Sequence, residues 1–434
     1  MKFKKTKLAT AVGTAAIAMA LSAPANAVDL GGDNGWDVSL TGTINLFYNH
    51  IDYSTSYYGV DNYFGADNNS SHLQEGLLPA FFTFKAKSPT VNGLTGTAQI
   101  SFAPDSSSAK NTRQDKGGNA IDMREVFFNV DGSFGTISAG RTLGLFGRQA
   151  ILKDMTLFGV GGVLAPDGGG TTLGRIGFGY IYPEFRTRFT YKTPSVNGFQ
   201  LELGLFDPQE PLGGYSSSFE TSVPMFQGEA TYATTFQGGN VNFWVDGLWQ
   251  EMDSQNRTGN DTVTSWGVDV GGQVAFSGFE LTGNYYTGEA LGMGLFSSLE
   301  NGTHYAYNAA GVVGGGYVCS AIFNKCFEAD NDGYYVQGTY TFNGKTKIGV
   351  SWGQSNQDGR RGVTPFTADN FRDIENTLWV VGVYHDVTPW LKLVAEYAET
   401  ESVVSSQWNF NINGTSDRVT VNSDVFSIGG FIFW

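Results

Sequence analysis

Ser427-Ile428-Gly429-Gly430-Phe431-Ile432-Phe433-Trp434 reads as a strand that meets lipid. Side chains of a strand alternate between its two faces. Phe426, Ile428, Gly430, Ile432 and Trp434 therefore share one face. Ser427, Gly429, Ile432 and Trp434 also make a polar-x-Gly-x-x-apolar-x-aromatic pattern. An apolar outer face without a free edge is what a bilayer demands of a spanning sheet, because no water is present there to satisfy bare N–H and C=O groups.

The same alternation recurs along the chain. Trp36, Val38, Leu40, Gly42, Ile44, Leu46 and Tyr48 oppose Asp37, Ser39, Thr41, Thr43 and Asn45. Leu94, Gly96, Ala98, Ile100 and Phe102 oppose Thr95, Thr97, Gln99 and Ser101. Further runs start at Val241, Trp266 and Leu391. Each is about as long as a tilted strand needs to cross a bilayer.

Between the runs, short turns alternate with long polar stretches. Seven turns carry Asn, Asp, Gly or Pro signals at 88–93, 131–133, 194–198, 237–240, 277–278, 343–345 and 387–389. Eight longer stretches lie at 49–76, 104–121, 142–184, 207–225, 252–263, 289–332, 357–375 and 402–422. Fifteen connections predict sixteen strands, an even number that brings both ends to one side, as single-chain barrels require. The expected fold is all-β: a transmembrane antiparallel 16-stranded β-barrel with short periplasmic turns and long extracellular loops. A barrel that wide is too large to fill with side chains, so polar inner faces imply a water-filled hole.

The start of the chain reads as a secretory signal peptide over 1–27. Lys2, Lys4, Lys5 and Lys7 precede an apolar run over 8–21, and Ala25-Asn26-Ala27 is a small-x-small cleavage site. The expected mature chain is a single barrel domain over 28–434. Removing the leader takes four lysines with it, so Lys+Arg falls from 26 to 22 against 41 acidic residues, a net of −19. That balance excludes a basic nucleic-acid surface. The 59 glycines and 14% aromatic content fit strands and turns. Cys319 and Cys326 sit in the long external loop 289–332. An oxidising compartment favours a local disulfide between them over two free thiols or a metal pair.

The final eight residues resemble the C-terminal signal of bacterial outer-membrane barrels, which the barrel-assembly machinery reads. The block from Met123 to Arg141, with Asp131-Gly132-Ser133 at its turn and Gly140-Arg141 at its end, resembles the fourth and fifth strands of general Gram-negative outer-membrane porins. Phe185 to Pro194, followed by Asn197-Gly198-Phe199, is similar to the sixth strand and turn of that family. The resemblance implies a homotrimer, with strands one to five and sixteen at neighbouring subunits. It also implies that the third loop, 142–184, folds inward as a constriction. Gly42 and Gly96, on outward faces, are expected to permit close approach between subunits.

Local charge suggests how such a constriction works. Arg186, Arg188, Thr190 and Lys192 share one face of their strand, which must be the lumen because charge toward lipid is costly. With Arg141 they are expected to form a basic wall. The third loop offers Asp154, Asp167 and Glu184 as acidic partners, with Arg148 and Arg175 as further candidates. A basic wall facing an acidic loop would set a transverse field across the eyelet.

Other constellations carry less. Asp330-Asn331-Asp332-Gly333 lacks the glutamate of a calcium loop and is read as a turn. Four scattered histidines give no metal or acid/base cluster, and no cofactor is called for. The expected function is passive diffusion of small hydrophilic solutes and ions through the outer membrane, among lipid and lipopolysaccharide. The alternatives are a solute-selective channel, with Tyr180, Tyr182 or Trp244 as a stacking path, and a barrel enzyme or structural barrel.

Overall fold

The computed structural model describes residues 27–57, 60–61, 68–104, 121–163, 170–209, 219–254, 262–293, 317–320, 325–358, 372–406 and 418–434. Among them no helix is long and apolar enough to cross a membrane. The crossing is made by strands.

One antiparallel sheet contains twenty strand segments, and sixteen strands form its closed wall. The wall begins with β1 (Asp37–Tyr57), β2 in two pieces (Asn68–Gln74 and Phe81–Lys87), β3 (Thr95–Pro104), β4 (Ile121–Gly132) and β5 (Gly135–Leu143). It continues through β6 (Phe185–Lys192), β7 (Phe199–Phe206), β8 (Met225–Phe236), β9 (Gly239–Ser254), β10 (Thr262–Phe276) and β11 (Phe279–Glu289). β12 (Asp330–Phe342), β13 (Thr346–Asp358), β14 (Arg372–Thr388), β15 (Leu391–Ser406) and β16 (Arg418–Phe433) complete it. β16 pairs back onto β1, from Tyr57 opposite Val419 to Thr43 opposite Phe433. Among the described strands of this wall every one has a partner on each side, which is how a sheet survives in hydrocarbon.

The seven short turns join neighbouring strands as the sequence implies. The outward faces also follow the alternation. Ile44, Leu46 and Tyr48 on β1 are exposed, as are Val268 and Val270 on β10 and Phe426, Ile428 and Ile432 on β16.

The strands run further into the long polar stretches than their apolar pattern suggests. β1 continues to Tyr57, β15 to Ser406, and β16 starts at Arg418. Above the bilayer both faces of a hairpin meet polar surroundings, so backbone pairing persists after the apolar signal stops. For the same reason Asp330-Asn331-Asp332-Gly333 is strand, not turn, with Asp330 opposite both Glu289 and Asp358. In the loop after β11, Tyr317–Ser320 pairs with Lys325–Glu328, and the register sets Cys319 opposite Cys326.

The seam between β16 and β1 is closed by Trp434. Its backbone exchanges two hydrogen bonds with Gly42, at 2.9 and 3.0 Å. Its indole lies over Gly42 and meets Phe82 edge-on at 5.1 Å. A Cβ on Gly42 would come within 2.2 Å of that indole. Gly42 therefore seats the chain's own tryptophan, and the expectation that it leaves room for a neighbouring subunit is corrected. Gly42→Val is expected to expel the indole and cost about 2 kcal/mol, read as a lower unfolding midpoint of the detergent-solubilised barrel. An unchanged midpoint would remove Gly42 from the seam.

The barrel interior departs from the expectation of a uniformly polar wall. On β1 and β14–β16 apolar side chains, including Phe47, Ile51, Leu378, Val380, Val425 and Phe431, share the inward face with polar ones such as Asn45, Asn376, Glu396 and Ser423. They bury the second half of the third loop, with Val160, Val163, Ile176 and Phe178. β2 contributes as well. Residues 75–80 leave the wall and turn inward, where Asn45 Nδ2 donates to Leu78 O and Gly76 N donates to Asn45 Oδ1, both at 2.8 Å. Leu77 N then donates to Gly159 O of the loop. One side of the barrel is thus filled like a soluble core, and open space is left on the opposite side.

Candidate pore constriction

The third loop enters the lumen directly after β5 and returns to the wall at β6. Its first turn is α1 (Arg148–Lys153), followed by a 3-10 turn over Met155–Phe158. Side chains on the wall hold its backbone along its length. Gln227 Oε1 on β8 accepts from Leu145 N and Phe146 N at 2.7 and 3.1 Å. Gln337 on β12 accepts from Met155 N and donates to Lys153 O. Glu396 on β15 accepts from Val160 N and Gly161 N at 2.7 and 2.9 Å. Ser423 on β16 donates to Val163 O. A polar loop backbone buried in a barrel needs such partners, since each orphaned group costs roughly 1–3 kcal/mol.

Beside α1 lies a chamber of about 490 Å³ that reaches toward the short-turn end, where Lys87, Asp131 and Lys192 stand. A cross-strand row of acids starts in its wall, with Glu202 and Glu229 lining the chamber, and continues past it. Glu202 on β7 lies opposite Glu229 on β8, Glu229 opposite Asp246 on β9, and Asp246 opposite Asp269 on β10. All four are buried. Like charges directly opposed on a sheet repel, so the row must be compensated. Arg148 supplies most of that: its Nη2 donates to Glu202 Oε2 at 2.8 Å and its Nε to Glu229 Oε2 at 3.0 Å. Gly147 N donates to Asp246 Oδ1 at 3.1 Å. Asp269 accepts from Trp244 Nε1 and Asn284 Nδ2. Burial alone would disfavour the Arg148 charge, but Glu202 and Glu229 outweigh it and hold the guanidinium's pKa above its ordinary value. For Lys153, burial wins over Glu280 and Glu229 and pulls the ammonium below the usual lysine range.

The arrangement differs from the expected one: cations come from the loop as well as from β6, and the wall carries both signs. The loop presents the cations Arg148 and Lys153, and β7 and β8 present the acids. The individual residues divide as follows. Arg188 and Lys192 point inward and line the chamber. Arg186 also points inward, at the loop end of β6, and is paired with Glu184. Arg141 faces outward and is exposed, opposite the equally outward Val126. On β5 the inward positions are Thr136, Ser138 and Thr142, so Arg141 cannot belong to a basic lumen wall. It stands near the loop end of its strand, where an outward charge costs least. Arg141→Gln is expected to leave conductance and reversal potential at wild-type values in a planar bilayer, and a change of selectivity would contradict its outward placement.

Asp154 is buried inside the loop, capping the 3-10 turn through Thr156 N and accepting from Tyr180 OH at 3.0 Å. It holds the loop together and does not line the chamber. Asp167 lies outside the described residues. Arg175 is fully buried, donating to Phe178 O, Leu378 O and Ser351 Oγ. Tyr180 is likewise enclosed. Trp244 lines the chamber, but its ring is nearly covered, with the Lys153 ammonium 5.7 Å from its centroid.

Sequence reasoning missed Glu202 and Glu229. Glu202 stands between Leu201 and Leu203, both lipid-facing, so its inward direction was legible. Its alignment with Glu229, Asp246 and Asp269 was not, because register between strands leaves no trace in a single chain. Glu125 was missed as well. It accepts from Gln99, Ser101 and Thr142 at 2.7–2.9 Å.

A closed sixteen-stranded wall, an apolar outer belt and an inward loop bordering a charged chamber define a transmembrane β-barrel channel. A family model described as Gram-negative porin matches residues 13–404, and the chain belongs to that family. Among solved structures it is similar to the outer membrane channel DcaP of Acinetobacter baumannii, at 14% identity and a TM-score of 0.61, covering 92% of this chain and 99% of that one. The anion-selective porin from Comamonas acidovorans matches at 12% identity and a TM-score of 0.56, covering 92% and 100%. OmpT of Vibrio cholerae in its trimer form matches at 14% identity and a TM-score of 0.50, covering 92% and 100%. No curated protein matches. The protein is an outer-membrane channel for solute diffusion.

Proposed function

We propose that the channel is a general, passive filter for small hydrophilic solutes and ions, with its narrowest charged passage between α1 and the β6–β8 wall. The observation that carries this is the Arg148 clamp on Glu202 and Glu229, which fixes the loop against the wall and leaves a charged, water-lined chamber beside it. Fixed charge on both sides of a narrow passage orders water and sorts solutes by charge and size. The chemistry needs no cofactor and no catalytic group. A sugar-stacking path is less well supported, since Tyr180 and Trp244 are enclosed and hydrogen-bonded.

The functional unit in this reading is a homotrimer, as in the trimer form of the OmpT neighbour. Residues 1–27 act as a cleaved leader, and Cys319 and Cys326, opposed in register, form a disulfide in the external loop. Ser427, Gly429, Ile432 and Trp434 act as the assembly signal, and lipopolysaccharide surrounds the outer rim.

Single-channel recording of the purified protein in a planar bilayer tests the central claim. Large ohmic steps arriving in threes, unaffected by sugars, are expected. Small steps blocked by one particular solute would replace the general filter with a selective channel, and absent steps would end the channel reading altogether.

A further inference from the structure

We infer that the loop-side entrance to the chamber is a hydrophobic gate, an apolar neck that screens solutes by their hydration, with Leu152 of α1 as the gating side chain; this rests on the channel reading above. A second, much smaller cleft lies beside α1, with Phe81, Leu143, Leu152, Leu157 and Phe185 in its lining. On the wall strands that reach both spaces, the cleft takes the loop end and the chamber the turn end. Phe81 precedes Lys85 on β2, Arg124 precedes Phe127 on β4, Leu143 follows Ser138 on β5, and Phe185 precedes Arg188 on β6. The two spaces therefore lie in line along the pore, and Leu152 borders both.

They differ in size and in chemistry. The chamber holds about 490 Å³ and is lined by charge. The cleft holds about 30 Å³ between hydrocarbon walls, space for roughly two waters. Arg124 is the charged side chain among its described lining residues, and it is engaged. Its Nε donates to Asp122 Oδ2 at 2.8 Å and its Nη1 to Tyr182 OH at 3.3 Å, while the guanidinium lies 5.5 Å from the centre of the Phe185 ring. Water in so narrow an apolar neck gives up hydrogen bonds that leucine cannot replace, and an ion must shed part of its shell. Such a neck conducts only while it is wetted, and drying closes it.

Other ways past α1 are packed or tied among the described residues. Toward β7–β9, Leu145 and Phe146 cluster with Phe206, Met225 and Leu248. Toward β12, Tyr335 OH donates to Ala150 O at 2.9 Å, and Gln337 holds Lys153 O. Toward β14–β16 and β1 lies the filled half. The flank along β4–β6 is left, and the neck stands on it. Leu152 is only half-buried, whereas Ile151 beside it is enclosed. A change of its rotamer can widen or narrow the neck without moving α1. The charged chamber then sorts what the apolar neck has already admitted.

The test is single-channel conductance of the reconstituted full-length protein in potassium chloride and in potassium thiocyanate, each divided by the bulk conductivity of its solution. The wild type is expected to favour thiocyanate, the more weakly hydrated anion. Leu152→Asn, close in size but polar, is expected to raise the chloride step about twofold and to remove that preference. Leu152→Met, apolar and of similar volume, is expected to keep both at wild-type values. Leu152→Ala, which widens the neck, is expected to raise the chloride step by about the same factor and serves if the asparagine variant does not fold. No thiocyanate preference in the wild type, an unchanged step in a folded asparagine or alanine variant, or a methionine variant that rises with them would overturn the gate while chloride steps still establish a channel. Absent chloride steps would remove the channel reading and the gate with it.

Discussion

Arg148→Ala is expected to enlarge the single-channel step, move the reversal potential toward cations and destabilise the folded channel by about 3 kcal/mol, the usual cost of removing one partner of a buried ion pair. The residue binds Glu202 and Glu229 together, and without it the two opposed carboxylates keep only Arg188, 3.4 Å from Glu202. The loop also loses its charged anchor to β7 and β8 and keeps the neutral donors Gln149 on Glu229, Leu145 and Phe146 on Gln227, and Gly147 on Asp246. Released, α1 would swing toward the open half of the lumen or fluctuate there, so larger steps should come with added current noise. Arg148→Lys separates charge from geometry. An ammonium keeps the sign but lacks the fork that reaches both carboxylates, so selectivity should be largely retained while noise rises. A quiet Arg148→Ala channel with wild-type selectivity and midpoint would mean that the clamp is incidental.

Glu396→Ala is expected to loosen the opposite end of the same loop. Glu396 accepts from Val160 N, Gly161 N and Tyr384 OH, all inside the filled half of the barrel. Its loss strands two backbone donors and a phenol in an apolar setting, a cost of about 3 kcal/mol. The surroundings are also tight: a Cβ on Gly159 would sit 1.9 Å from Glu396 Oε1. Glu396→Gln keeps an acceptor and should lose about 1 kcal/mol. Limited proteolysis of the solubilised protein, with mass analysis of the cut sites, reads the effect as new cleavage within 160–163 and 170–182. A wild-type digest from Glu396→Ala would show that packing alone holds the segment.

The wall was legible and the lumen only partly so. Turn residues and the alternation of Ile44, Leu46 and Tyr48 with Thr43 and Asn45 carry the strand count and the direction of each side chain, since both are local properties. What stands beside what depends on register, and that decided the site. Arg188 and Lys192 could be placed inward from one strand, but the row Glu202–Glu229–Asp246–Asp269 exists only once four strands are aligned. Arg141 is expected on the wall because its strand flanks the third loop; the alternation of that strand sends it outward. The filled half of the barrel did leave a signal. On β16 the inward positions Val421, Val425, Phe431 and Phe433, interrupted by Ser423 and Ser427, are as apolar as the outward Phe426, Ile428 and Ile432. A strand apolar on both faces is a strand covered on both faces.

That filled half also changes how the molecule bears load. Packed protein interiors are nearly incompressible, so β14–β16 and β1, backed by the loop, behave as a solid rib running along one side of a tube. The other flank, β3 to β10, borders the chamber and packs against the loop mainly at one end, where Phe206, Met225 and Leu248 cluster with Leu145 and Phe146. Lateral pressure from the bilayer must therefore flex that flank first, and α1, tied to β7 and β8 by Arg148 and to β8 by Gln149, is the strut that props it open.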